Sequence, residues 1–340
     1  MSRPATLVAA GALLAAAAFG ADLPPALTGA QVEVLPGVSP RAAQARAADG
    51  DWLAWSVSAV AGAEELCCWN GSRARGCSLG REPQGWGGSP NAAAQPGARE
   101  LVVFARVERH AVSALRAVAR GCPVDGAGRR VLWLGTVAPE ASLEIVSALV
   151  EAGGEPGETA LAAAAHHAGA GADALLERRV LDRALASEAR GQALFWAGHA
   201  RAAAGYSLLD RVLDSEPDVE LRQQALFALT QSSVPEAPDR LRRAAVDDAS
   251  AEVRGQALFW LAQSDAPGAG DWILGRLDDE TDEEVRGQAV FALSRLDDGT
   301  DRLLAVLRSE RDAETIRQAL FWLGQSDDPR ALAELERILD

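Results

Sequence analysis

Lysine is absent from this chain, so every basic side chain other than histidine is an arginine. Methionine occurs only at position 1, and tyrosine occurs once. With the excess of Ala, Arg and Gly, the missing lysine reads as codon bias of a GC-rich genome and not as function. A positive balance is lacking too: 33 Lys and Arg stand against 48 Asp and Glu, a net charge of −15. Nucleic acid binding needs clustered cations that displace counterions, so this composition argues against it. Anionic membrane surfaces are disfavoured for the same reason. Beyond the N-terminus no apolar run is long enough to cross a bilayer. GxSxG, HExxH and P-loop patterns are missing, and no constellation of residues announces catalysis.

What is present starts with a short basic Met1-Ser2-Arg3, an apolar Leu7 to Phe19, and small residues at Ala18-Phe19-Gly20-Ala21. That is the pattern of a secretory signal peptide over residues 1–21, cut after Gly20 or Ala21. No cysteine stands directly after the cut, which argues against a lipid anchor. The expected location is periplasmic or secreted. Residues 22–49 carry Pro24, Pro25, Pro36 and Pro40 with little periodicity and read as a tether, in which Gln31–Leu35 could add one edge strand. From Asp51 the period is two: Leu53, Trp55, Val57 and Ala59 alternate with Ala54, Ser56 and Ser58, as in a half-buried strand. Glu65–Trp69 and Cys77–Leu79 suggest a hairpin about Asn70-Gly71, and Gly80–Ala98 suggests a loop. Leu101–Val107 and Val112–Val118 suggest a further strand pair, the second segment being ambiguous with helix. Residues 50–128 are therefore expected to form a small β-rich domain.

All four cysteines, Cys67, Cys68, Cys77 and Cys122, lie in that domain. A core this small in an exported protein gains from disulfides. Neighbouring residues of a strand point to opposite faces, so Cys67 and Cys68 should take separate partners. Two bridges are expected, with Cys77 and Cys122 each joined to one of the pair, either way round. A metal site would want a CxxC knuckle, which is missing.

From Arg129 onward the period is helical, and a phrase recurs: RGQALFW at Arg190–Trp196 and Arg254–Trp260, with variants at Arg222–Ala228, Arg286–Ala292 and Arg317–Trp322. Gln192, Gln224, Gln256, Gln288 and Gln318 are spaced by 32, 32, 32 and 30 residues. Such a period means one supersecondary unit stacked on copies of itself. Ser250 and the capping box Thr281–Glu284 would open helices, and turns such as Ser264–Gly268 would break them. Aligning Val131–Gly135 with Leu320–Gly324 extends the array to about seven helix pairs over residues 129–340. The fold class is mainly α, an α-solenoid preceded by a small disulfide-stapled β domain.

These units resemble HEAT repeats of the short type named after phycobilisome lyases. That type is written around Asp, Val-Arg, Ala and a closing apolar pair, as in Asp247/Asp248, Val253-Arg254, Ala257 and Trp260-Leu261. The whole layout is similar to exported bacterial HEAT proteins. The resemblance implies the fold and leaves activity open, since HEAT arrays carry many functions.

On a helical wheel Val253, Ala257, Trp260 and Leu261 share the face toward the second helix of the unit, and Phe259 falls almost opposite. Phe195, Phe227, Phe291 and Phe321 occupy the same position, so stacking should line up five phenylalanines. The row serves either packing between repeats or partner binding. The alternation Trp196, Ala228, Trp260, Ala292, Trp322 reads as an interdigitated core layer. Arg190, Arg222, Arg254 and Arg286, each with Asp or Glu seven or eight residues earlier, read as a structural ladder. His166 and His199 hold equivalent positions in adjacent units, but with His167 they lack a third ligand and read as surface or helix-end histidines, with no metal or cofactor. HEAT-type hydroxylases use His-Glu dipeptides, and none occurs. The leading expectation is a non-enzymatic scaffold that holds a protein or peptide partner, does not bind nucleic acid, and is not inserted in a membrane. The competing expectations are a cofactor-handling, tetrapyrrole-lyase-like protein and an envelope sensor.

Overall fold

In this computed structural model residues 26–63, 66–69, 76–82, 85–87, 99–309, 312–326 and 328–339 are described. The signal-peptide segment and Asn70-Gly71 lie outside them. The chain divides into two compact units, residues 1–160 and 161–340.

The first unit is built from β1 (Leu27–Thr28), β2 (Gln31–Val34), α1 (Pro40–Gln44), β3 (Trp52–Ser58), β4 (Cys67–Trp69), β5 (Cys77–Ser78), β6 (Gly85–Gly87), β7 (Glu100–Glu108), β8 (Ala111–Ala119), β9 (Val124–Asp125), β10 (Arg130–Val137) and α2 (Pro139–Ala152). A five-stranded sheet runs β2-β10-β3-β7-β8. In it β10 pairs in parallel with β2 and β3, and β3, β7 and β8 are antiparallel neighbours. Trp52 to Val57 are all buried, against the expected half-buried alternation. The reason is cover on both faces, which lets a strand read as a continuous apolar run. On one face the Trp55 indole donates to Ser142 Oγ of α2 at 2.8 Å. On the other, Trp52, Phe104 and Trp133 pack with the four cysteines.

Cys67 pairs with Cys122 and Cys68 with Cys77, at Cα separations of 5.5 and 4.9 Å. Three sequence readings change here. Residues 26–49 are no free tether, because β1, β2 and α1 belong to the unit, with β2 the edge strand expected at Gln31–Leu35. The hairpin between β4 and β5 does not form: β4 pairs with β6, and β5 with β9. Val131–Leu134 is sheet and not a degenerate helix, since its backbone completes ladders with β2 and β3 on either side. The β region therefore runs past residue 128.

A helix α3 (Gly154–His166) crosses the division between the units. The second unit continues with α4 (Ala170–Leu181), α5 (Ser187–Ala200), α6 (Ala202–Ser215), α7 (Val219–Thr230), α8 (Ala237–Asp247), α9 (Ala251–Gln263), α10 (Ala269–Arg276), α11 (Glu283–Ser294), α12 (Gly299–Ser309), α13 (Ala313–Gly324) and α14 (Pro329–Leu339). The first helices of successive pairs, α5, α7, α9, α11 and α13, pack side by side in chain order. Leu194, Leu226, Leu258 and Val290 are buried at equivalent positions along them. Asp218, Asp282 and Asp312 cap these helices by accepting backbone N–H groups one turn in. The cap of α11 is thus Asp282 rather than Thr281, and Ser250 makes no side-chain cap bond.

Candidate partner-binding face

The repeats are joined by two sets of arginines. Arg190, Arg222, Arg254 and Arg286 pair with Glu216, Asp248, Glu280 with Asp282, and Asp312. Their partners lie in the following unit and not in the stretch seven or eight residues earlier. Arg222 is bidentate on Asp248 at 2.9 Å for both bonds, and it also donates to the carbonyls of Glu216 and Pro217. Along the second helices Arg240, Arg302 and Arg330 reach back to Asp210, Asp271 and Asp301, a ladder the sequence reading missed. Buried Arg201 donates to Asp173 and to the carbonyls of Ala165, His167 and Gly169, which fixes the turn between α3 and α4.

With the stack held in this way, one side of the first-helix layer carries a continuous row of rings. Phe195 stacks on Phe227 at 5.9 Å and 14°, and Phe259 on Phe291 at 5.7 Å and 3°. Trp260 bridges Phe227 and Phe259 with centroids 5.0 and 4.9 Å away, and Trp322 links Phe291 to Phe321 at 4.9 and 5.0 Å. Trp196 and His199 extend the row past Phe195 to His166. The five phenylalanines are aligned, and each neighbouring pair touches directly or through a tryptophan. Phe227 is 37% exposed and Phe321 58%, while Phe195, Phe259 and Phe291 are half-buried.

The tryptophans are not core. Trp196, Trp260 and Trp322 are half-buried and belong to the row, whereas Ala228 and Ala292 are fully buried. The cause is angular: consecutive helix residues are ~100° apart, so a residue beside an outward Phe sits at the border between core and surface. Where the next helix carries Ala, the two phenyl rings stack face to face. Where it carries Trp, the indole fills the gap. The Phe-Trp adjacency was the signal available in the sequence.

Beside the rings runs a second row made by the repeating glutamines. A Cβ at Gly191 would overlap Gln224 Oε1, and one at Gly255 would come within 2.7 Å of Gln288 Cγ. The repeated glycine therefore makes room for the glutamine of the next helix, and it does not merely bare the phenylalanine. Gln224 Oε1 and Gln256 Oε1 are buried without a hydrogen-bond donor. An open groove of about 350 Å³ is lined by Gln223, Glu252, Gln256, Phe259, Glu284, Gln288 and Phe291. Glu188, Glu220, Glu252 and Glu284 stand exposed in the first turns of their helices. Acidic side chains there also complement the helix dipole.

The histidines stand at helix ends as expected, His166 and His167 at the end of α3 and His199 in the last turn of α5, but two of them are not surface residues. His166 and His167 are buried, and their Nδ1 atoms lie 2.8 and 2.7 Å from the carbonyls of Ala162 and Ala163. Burial pushes both imidazoles down to about 4, so both are neutral near pH 7, with Nδ1–H donating to the carbonyl. His199 is exposed, its ring 6.0 Å from that of His166. Among the described residues no three His, Cys, Asp or Glu side chains gather as metal ligands do, and no helix is long and apolar enough to cross a membrane.

Residues 206–294 match the family described as HEAT repeats. No curated protein matches the chain. Among solved structures, an engineered protein is 20% identical over 53% of this chain and 88% of its own, with a TM-score of 0.28. A second engineered protein is 17% identical over 53% and 97%, with a TM-score of 0.27. Human deoxyhypusine hydroxylase in complex with glycerol is 17% identical over 59% and 84%, with a TM-score of 0.26. Superpositions this loose add nothing to the argument.

Proposed function

We propose that the helical pairs form a HEAT-type α-solenoid that serves, without catalysis, as an exported scaffold for a protein or peptide partner. The observation that supports this reading is the unbroken aromatic row from Trp196 to Phe321. Five repeats spend their outward helix position on a ring, although surface aromatics give a folded chain little and invite association. Rings that touch from helix to helix offer an elongated, rigid surface, suited to a segment lying across the repeats. Export is supported by the N-terminal pattern and by two cysteine pairs, which persist in oxidising compartments.

The test is selection of binders from a random displayed-peptide library on the mature protein. Selected peptides are then measured against a Phe227→Ser, Phe259→Ser, Phe291→Ser variant whose circular dichroism matches wild type. Loss of affinity by about 10-fold or more is expected, because binding energy concentrates in central, water-excluding contacts. Equal affinity for the variant would place the site elsewhere.

A further inference from the structure

Resting on that reading, we infer that the segment held along the aromatic row is an extended, cationic peptide bearing arginine or lysine. The charged groups that line the groove, Glu252 and Glu284, are both carboxylates. Glu188, Glu220, Glu252 and Glu284 line its N-terminal border, and Glu188, Glu252 and Glu284 make no ion pair among the described residues. In the groove Glu252 and Glu284 stand beside Phe259 and Phe291, with Gln256 and Gln288 among them. The ring faces themselves attract cations. Among the described residues Arg295, at the C-terminal end of α11 beyond Phe291, makes no ion pair, and Arg317 is tied to Glu314. The inter-repeat arginines are all engaged with carboxylates. A neutral apolar segment would cover the rings but would leave the carboxylates without a partner. Arginine and lysine carry only donors, and their stems lie well on aromatic surface.

Geometry sets the length. Packed helices lie ~10 Å apart, and an extended chain in the polyproline II conformation advances ~3.1 Å per residue with about three residues per turn, so every third side chain returns to the same face about once per repeat. A peptide of about 12 residues with a cation at every third position would meet one glutamate and one ring per helix.

The experiment measures fluorescence anisotropy of three labelled peptides of that length on the full mature chain. One is arginine-bearing, one has glutamine in place of arginine, and one has glutamate there. The arginine peptide should bind at least about 10-fold tighter than the glutamine peptide, with the preference shrinking as salt rises. Glu220→Gln, Glu252→Gln, Glu284→Gln should lower its affinity to that of the glutamine peptide. A control that removes as much charge from α8 and its N-cap, Glu236→Gln, Asp239→Asn, Asp247→Asn, should leave it within about 2-fold, which separates a local site from attraction to an acidic protein. Equal binding of all three peptides, abolished by the Phe-to-Ser variant, would overturn the cationic inference and keep the aromatic-row reading. No binding of any peptide, or full binding by the Phe-to-Ser variant, would overturn both.

Discussion

Gly198 and Gly324 occupy the same place in the repeat phrase, ALFWAG and ALFWLG, yet they meet different surroundings. A methyl at Gly198 would run into the backbone carbonyl oxygen of Ala228 on the next helix, whereas nothing lies within 4 Å of one at Gly324. Backbone cannot rotate aside as a long side chain can, so Gly198→Ala should cost about 1–3 kcal/mol through overpacking. Gly324→Ala should be neutral, or stabilising by up to about 1 kcal/mol, from improved helix propensity. Urea unfolding of the two variants checks this, and equal shifts would refute the close approach of α5 and α7. The half-buried tryptophans call for a similar revision. Trp260 shares its exposure with Phe259, so its truncation does not empty a closed core site.

Between helices, the staple of one repeat to the next is a buried, bidentate ion pair and not apolar contact alone. Arg222 and Asp248 are each about nine-tenths buried. Removing one partner strands the other, so Arg222→Ala should cost about 3–5 kcal/mol, and adding Asp248→Ala should recover part of that loss. Arg211 and Glu177 are about half exposed, and the same double-mutant cycle there should give less than about 1 kcal/mol. Comparable coupling energies in the two cycles would contradict this account. The first helices were legible in the sequence because tandem copies display their spacing, and the aligned phenylalanines followed from it. The arginine partners were not, because a carboxylate 26 residues on in a neighbouring unit leaves no local signal. The strand β10 was missed for a related reason. Val131–Leu134 is an apolar run compatible with either period, and only pairing with the distant β2 and β3 decides it.

For the molecule as a whole, pH separates two contributions to stability. His166 and His167 are buried and neutral, with pKa values lowered to about 4 from an ordinary 6.5. Above pH 6.5 neither the folded nor the unfolded chain protonates them, and their contribution is complete. Between 6.5 and 4 the unfolded chain takes up two protons that the folded chain refuses, so stability falls with falling pH at a slope approaching two protons. Below 4 both states are charged and the slope ends, after a loss of up to about 3 kcal/mol per histidine. The carboxylates act lower on the scale. Asp218, held below the ordinary range by the Ser187 hydroxyl, keeps its contribution above the unfolded value near 4 and loses it only as pH drops further. The window from 6.5 to 4.5 is therefore dominated by the histidines. Thermal melts of the wild type should show Tm falling by an amount on the order of 10 °C across it. A His166→Gln, His167→Gln variant should melt lower at pH 8 but stay nearly level from 6.5 to 4.5. A wild-type Tm that does not move in that window, or a variant that keeps the full slope, would mean that the acid sensitivity arises elsewhere.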